Sequence, residues 1–133
     1  MAPRLRAAYF AAYFKASLKG RLPARFAVVT AHNPMGHLFS PAANRKLDAA
    51  LRRRLDALGI ERFRVTGGSE DGSHREAGWG LVVAEPGIAR ELAAEFDQNA
   101  FYWVRGGRIY LGSAAGGPLK RAGSWGARRA RWR

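Results

Sequence analysis

Phe26-Ala27-Val28-Val29-Thr30-Ala31 is apolar at odd and even positions alike. A strand with one wet face alternates polar and apolar residues, so this stretch predicts a strand covered on both faces in the middle of a sheet. Trp79-Gly80-Leu81-Val82-Val83-Ala84 reads the same way, whereas Arg62-Phe63-Arg64-Val65-Thr66 alternates as a half-exposed edge strand does. Ahead of that edge strand, Ser40 and Pro41 supply an N-cap and a proline at the first helical position. Leu47, Leu51, Leu55 and Leu58 then form a stripe at helical spacing, and Gly59 ends the helix. Pro86 opens a second helix with Ile88, Leu92 and Phe96 on its buried side. Ala100 to Val104 reads as a further strand. Arg105-Gly106-Gly107-Arg108 turns it into Ile109-Tyr110-Leu111, since paired glycines supply the positive φ of a tight hairpin.

Strand, helix, strand, strand, helix, strand predicts an α+β fold, a ferredoxin-like split βαβ sandwich (βαββαβ) with an extra C-terminal hairpin strand and an N-terminal helix. The two strands buried on both faces belong side by side at the centre, and the reading takes 26–31 and 79–84 as parallel, with both helices on one face. Residues 1–25 form a basic amphipathic segment packing on the domain, with Leu5, Tyr9 and Tyr13 at helical spacing and Phe10 and Phe14 beside them. Residues 26–112 hold the single α+β domain. Residues 113–133, with Gly116-Gly117-Pro118 and the arginines from Arg128 to Arg133, read as a flexible basic tail.

A chain of 133 residues fits one domain, and a hydrophobic share of 47% is enough to build its core. Without cysteine there is no disulfide framework, thiolate zinc site or cysteine nucleophile. No run approaches the roughly 18 apolar residues of a membrane span, so a soluble protein is expected. Arg4, Arg6, Lys15, Lys19, Arg21 and Arg25, with no acid among residues 1–25, also describe a mitochondrial transit peptide. Lys15 and Lys19 interrupt the apolar run that a signal peptide would need. The expectation is a cytoplasmic protein.

The net charge of +13 is unevenly placed. Residues 1–47 carry eight basic side chains and no acid, residues 48–97 seven basic and ten acidic, and residues 98–133 eight basic and none acidic. Two cationic flanks around a balanced centre suit a binding module for nucleic acid or another polyanion. Its contacts would be Lys120, Arg121, Arg128, Arg129, Arg131, Trp132 and Arg133, with Trp125 and Trp132 interleaved among the arginines as stacking surfaces. An arginine- and alanine-rich composition with no such role accounts for the same charge.

Three polar segments are not needed to build the sheet: Thr30 to Gly36 with Ser40 and Asn44, Gly67 to Glu76, and Asp97-Gln98-Asn99. On Thr30-Ala31, Asn33-Pro34, Ser40, Asn44, Gly68, Asp71, Glu76 and Gln98-Asn99-Ala100 the chain resembles a bacterial family catalogued as domain of unknown function 3293. The resemblance covers roughly Phe26 to Leu111 and implies no activity. The chain departs from that pattern at Asp97, where a glycine is common, and at Ala77, where a proline is common.

Asn33, Ser40, Asn44, Gln98 and Asn99 are the candidate ligand-binding residues. They offer amides and a hydroxyl at a helix N-terminus, where free N–H groups favour a phosphorylated or nucleotide-like ligand. The same residues also read as an N-cap, a turn and buried amides tying loops to the backbone. Asp71, His74 and Glu76 are candidates for acid–base chemistry, an imidazole flanked by carboxylates, and equally read as a solvated Gly/Ser-rich turn. His32 and His37 match no zinc spacing, and the sequence singles out no cofactor. With 26–31 and 79–84 parallel, the loop holding Asp71 lies at the opposite end of the sheet from Asn33 and Gln98, and joins them only by folding back.

Overall fold

The computed structural model describes residues 5–18 and 20–133; Arg4 and Lys19 of the N-terminal segment lie outside the described residues. The elements in chain order are α1 (Ala7–Phe10), β1 (Tyr13–Ser17), β2 (Arg25–Thr30), α2 (Pro41–Leu58), β3 (Arg62–Gly68), β4 (Arg75–Leu81), α3 (Gly87–Glu95), β5 (Ala100–Arg105), β6 (Arg108–Ser113) and β7 (Lys120–Ser124). The fold is α+β. All seven strands join one sheet in the order β1-β3-β4-β2-β5-β6-β7, and every neighbouring pair is antiparallel.

Local chemistry sets the element ends. Ser40 Oγ accepts from the Ala43 N–H at 3.1 Å and caps α2, and Gly59 at φ 66° closes it in the left-handed region. Gly106 and Gly107, at φ 55° and 76°, make the β5–β6 hairpin turn.

Each sheet face carries its own core. On one, Ala27, Val29 and Ala31 of the β2 segment and Phe101 and Trp103 of β5 pack under Leu51 and Leu55 of α2 and Ala89, Leu92 and Ala93 of α3. Both helices therefore cover this face, and each fully buried leucine contributes roughly 1.5–3 kcal/mol. On the other, Phe14, Phe26, Val28, Phe63, Val65, Val104, Ile109 and Trp125 form a second cluster. Here the sheet curls until its two ends meet: the Phe14 N–H donates to Arg128 O and the Ala130 N–H to Phe14 O, both at 2.8 Å.

Four expectations are corrected. The segments 26–31 and 79–84 are neighbours, but antiparallel, with Ala27 opposite Leu81 and Thr30 opposite Gly78. Burial on both faces marks a strand as central and says nothing of its direction. The stretch 62–66 is no edge, because β1 pairs outside it. Its alternation arises from ion pairing instead: Arg64 forks onto Asp48 of α2 at 2.8 and 2.6 Å and lies 4.0 Å from the Trp79 ring centre. The N-terminal helix is one turn, and Tyr13 already belongs to β1.

The fourth correction concerns 113–133, which is built into the fold rather than being a flexible tail. It carries β7, Trp125 is 6% exposed and stacked on Phe14 at 5.3 Å, and Trp132 is 9% exposed. The Trp132 indole N–H donates to Ser69 O at 3.0 Å, while Lys15 Nζ donates to Trp132 O at 2.9 Å. Two large aromatic side chains find long-range partners there, and that burial offsets the cost of ordering a glycine-rich segment.

Candidate functional site

Alternating residues of β1, β3, β4, β2 and β5 face the curled side of the sheet. At one end of that face the register aligns Phe14, Gly67 and Glu76 in one row and Val65, Gly78 and Thr30 in the next. Gly67, Gly78 and Ala100 leave the space that larger side chains fill further along. The result is a cavity of about 690 Å³, within the range of small-molecule sites. Tyr9 and the turn after α1 line its N-terminal side, and Tyr102, Phe14 and Tyr13 give it aromatic walls.

Antiparallel pairing decides what else reaches it. The exit of β2 lies beside the entry of β4 and the entry of β5, so Asn33, Glu76 and Gln98 all line this cavity. The loop between β3 and β4 needs no fold-back, contrary to the expectation drawn from a parallel pair.

Asn33 is the hub. It is 8% exposed and sits in the left-handed region at φ 51° and ψ 59°, which asparagine tolerates better than most residues. Its N–H donates to Asn44 Oδ1, Asn44 Nδ2 donates back to Asn33 Oδ1, and the same oxygen accepts from the Phe39 N–H, all at 2.9 Å. Asn33 Nδ2, also at 2.9 Å, donates to Glu76 Oε2. That oxygen meets His74 Nε2 at 3.1 Å as well. The amides of α2 and the β2 exit thus hold a carboxylate in place, with its histidine partner half open to solvent, 53% exposed.

Gln98 Nε2 donates to His32 O at 3.1 Å and Phe96 O at 3.3 Å, fixing the β5 entry. Asn99 stands behind the wall and donates from Nδ2 to the Tyr9 hydroxyl at 3.2 Å. The Tyr102 hydroxyl donates to Tyr9 O at 2.6 Å. Burial pushes that phenol well above the ordinary tyrosine range, with Tyr9 and Glu76 adding to the shift and Arg128 opposing it, so it stays a neutral donor. Met35 and Asp97 are two further left-handed residues, at φ 56° and 55°, and the Met35 N–H donates to Asp97 O at 2.7 Å. A glycine would take the conformation of Asp97 without strain.

The other candidates fall elsewhere. Ser40 spends its hydroxyl on the α2 cap and is exposed, and Asn44 reaches the cavity only through Asn33. Asp71 belongs to a turn: its carboxylate accepts from the N–H and hydroxyl of Ser73 and from the Ser69 hydroxyl, which hold its pKa down at about 2. His74 and Glu76 line the cavity without it. Among the described residues no three His, Asp or Glu side chains gather around a point that would hold a metal ion. No helix of the described residues is long and apolar enough to cross a membrane.

Of the tail cations, only Arg128 lines the cavity, with its guanidinium over the Tyr13 ring at 5.4 Å; Arg129 and Arg131 line a second recess beside Glu70. Trp132 and Trp125 are buried, so neither offers a base-stacking surface. Arg121 folds back onto Gly123 O at 3.1 Å, and Arg75 Nη1 donates to Arg133 O at 2.8 Å. Lys120 is exposed on β7. The arrangement lends the polyanion reading no support.

Arg6, Tyr9 and Tyr102 are cavity residues that sequence reasoning missed, and Arg128, expected as a polyanion contact, lines the cavity instead. Tyr9 and Tyr102 resemble core aromatics in the sequence, and Arg6 disappears among like charges.

The family model described as "Protein of unknown function (DUF3293)" matches residues 29–101, more than half of the chain. The chain belongs to this family. No curated protein and no solved structure matches it. The matched stretch holds Asn33, Glu76 and Gln98 of the inner wall, and Asn44 behind Asn33. Arg6, Tyr9 and Arg128 lie outside it.

Proposed function

We propose that this protein binds a small, nucleotide-like molecule in the cavity between the curled sheet and α1. The observation that carries the reading is the convergence of Asn33, Glu76 and Gln98, from three separated segments, on one wall. An apolar cavity with a few converging polar groups is the usual form of a ligand site. A buried amide network spent on holding one carboxylate is more than the sheet needs for folding. Strained non-glycine backbone at Asn33, Met35 and Asp97 borders the same wall, and such strain gathers at ligand sites. Glu76 and His74 together make an acid–base pair within reach of a bound molecule. The order β3-β4-β2-β5, with both helices on one face, supports a ferredoxin-like split βαβ centre to which β1, β6 and β7 are added.

Thermal unfolding with a nucleotide panel tests the binding. A ligand present at a hundred times its Kd stabilises the folded state by roughly 2.7 kcal/mol, or roughly 10 °C for a domain of this size. The expected result is such a shift in the wild type, lost in Glu76→Gln. No shift with any nucleotide, together with salt-sensitive binding of DNA or RNA that Glu76→Gln leaves intact, would turn the reading back to the polyanion module.

A further inference from the structure

The hydrogen-bonding inventory of the cavity wall is lopsided. Both hydrogens of the Gln98 amide go to backbone carbonyls, so the group left for a ligand is its acceptor Oε1. Asn33 spends its carbonyl and one of its two amide hydrogens within the protein. Thr30 donates to Ala77 O and accepts from the His32 N–H, and Tyr102 donates to Tyr9 O. Glu76 Oε2 carries two partners, while Oε1 has none among the described residues. Apart from the second Asn33 amide hydrogen, the inner wall therefore presents acceptors, and a ligand group resting on Glu76 Oε1 must bring an N–H donor.

The opposite holds where α1 and the C-terminal segment meet the cavity. Arg6 on the exposed rim and half-buried Arg128 are donors only, and neither makes an ion pair among the described residues. Glu76 and Arg128 act on one point, the Tyr102 hydroxyl, with opposite sign. Tyr9, Tyr13 and Tyr102 line the cavity between them, and their faces suit a planar ring.

We infer that the site takes a nucleoside monophosphate whose base carries adjacent N–H donors, the edge of guanine, with that edge on Glu76 and the phosphate toward Arg6 and Arg128. This rests on the small-molecule reading above and adds polarity to it. At Glu76 the oxygen free for the guanine edge is Oε1, since Oε2 already meets Asn33 and His74; Oε1 accepts an N–H of the edge and repels a base that offers a carbonyl there. The two ends of the ligand are then read by different residues.

Calorimetric titration with three probes tests the assignment. Guanosine 5′-monophosphate is expected to bind at least tenfold more tightly than xanthosine 5′-monophosphate, which has a carbonyl in place of the 2-amine, because half-buried acceptors would face an acceptor. It is also expected to bind at least tenfold more tightly than guanosine, which lacks the phosphate. Glu76→Gln should erase the first preference and keep the second, whereas Arg128→Ala should do the reverse. Arg6→Ala is a second variant for the phosphate end, on the exposed rim where folding is not at stake. Equal binding of the guanine and xanthine nucleotides, or a preference that survives Glu76→Gln, overturns the inference and leaves the small-molecule reading standing if other nucleotides still bind through Glu76. Absence of any nucleotide binding to a folded wild type overturns both.

Discussion

The two faces of the sheet are built from the same strands, yet only one is filled from end to end. Under α2 and α3, Ala27, Val29 and Ala31 meet leucines and aromatics along their whole length. On the curled side Phe26 packs tightly against Phe63 and Trp125, but Val28 borders the cavity and the row through Thr30 opens into it. The difference lies in what the neighbouring strands supply. Beside Phe26 stands Val104; beside Thr30 stands Gly78, and beside Glu76 stands Gly67. At Gly67 an added Cβ would sit at an ordinary 3.5 Å from Phe14, so a side chain has room there, whereas at Gly78 it would meet Val29 O at 2.6 Å and the close backbone itself requires glycine. Half of the curled face therefore serves as core and half as a lined space, with Phe14 and Tyr102 at the border, edge to face at 4.9 Å.

The comparison breaks first at Trp125. If the packed half of the curled face carries as much stability as the helix face, Trp125→Ala should cost about 3–5 kcal/mol and Leu92→Ala about 2–5 kcal/mol, both being large-to-small changes in closed cores. Urea unfolding measures both. A loss below about 1 kcal/mol for Trp125→Ala would mean that the C-terminal segment merely lies against the sheet, and that the curled face is not closed by it.

That segment marks the limit of what the sequence makes legible. The ends of α2 are readable because Ser40, Pro41 and Gly59 act through their immediate neighbours, and so is the β5–β6 turn at Gly106 and Gly107. Trp125 and Trp132 are not, since their partners Phe14 and Ser69 lie 111 and 63 residues away. Nothing local separates a tryptophan plugging a core from one waiting for a base. The site divides the same way. Asn33, Glu76 and Gln98 stand out as polar residues that no strand needs, but whether they meet depends on the direction of β4 beside β2, on which burial patterns are silent. Tyr9 and Tyr102 stay hidden because an aromatic at helical or strand spacing has a core explanation already.

A smaller effect is expected where the two halves of the curled face are joined by polar contacts. Asn33→Ala removes a buried hub and leaves the Phe39 N–H, the Asn44 amide and Glu76 short of partners, costing about 1–3 kcal/mol. Gly67→Ala should act with the opposite sign. Its added Cβ would meet Phe14 at an ordinary 3.5 Å, and alanine in a strand interior gains roughly 0.5–1 kcal/mol over glycine. If Gly67 is there to keep the space beside Glu76 open, Gly67→Val should weaken ligand binding, although it leaves Glu76, Asn33 and Gln98 untouched. Unchanged affinity in Gly67→Val would show that the glycine row is incidental to the site.

The smallest expected effect concerns His32, where the helix face and the cavity wall share a residue. Its carbonyl holds Gln98 in place, and burial pushes its imidazole pKa below the usual 6.5 against the upward pull of Asp48 and Glu76, with Arg64 adding to the lowering. The folded state therefore favours the neutral ring, while the unfolded chain takes up a proton near the ordinary value. Above pH 6.5 both states are neutral and His32 contributes no pH dependence. As pH falls through 6.5 the unfolded chain binds protons first, so stability drops until the pH passes below the folded pKa, where the difference levels off. His32→Gln should flatten that part of the pH–stability curve relative to wild type, with His74 and the carboxylates common to both proteins. Asp48→Asn should steepen it, because removing a carboxylate leaves burial less opposed. A wild-type curve that matches His32→Gln between pH 5 and 7 would mean the ring is as well solvated folded as unfolded, and that the wall behind Gln98 is open to water.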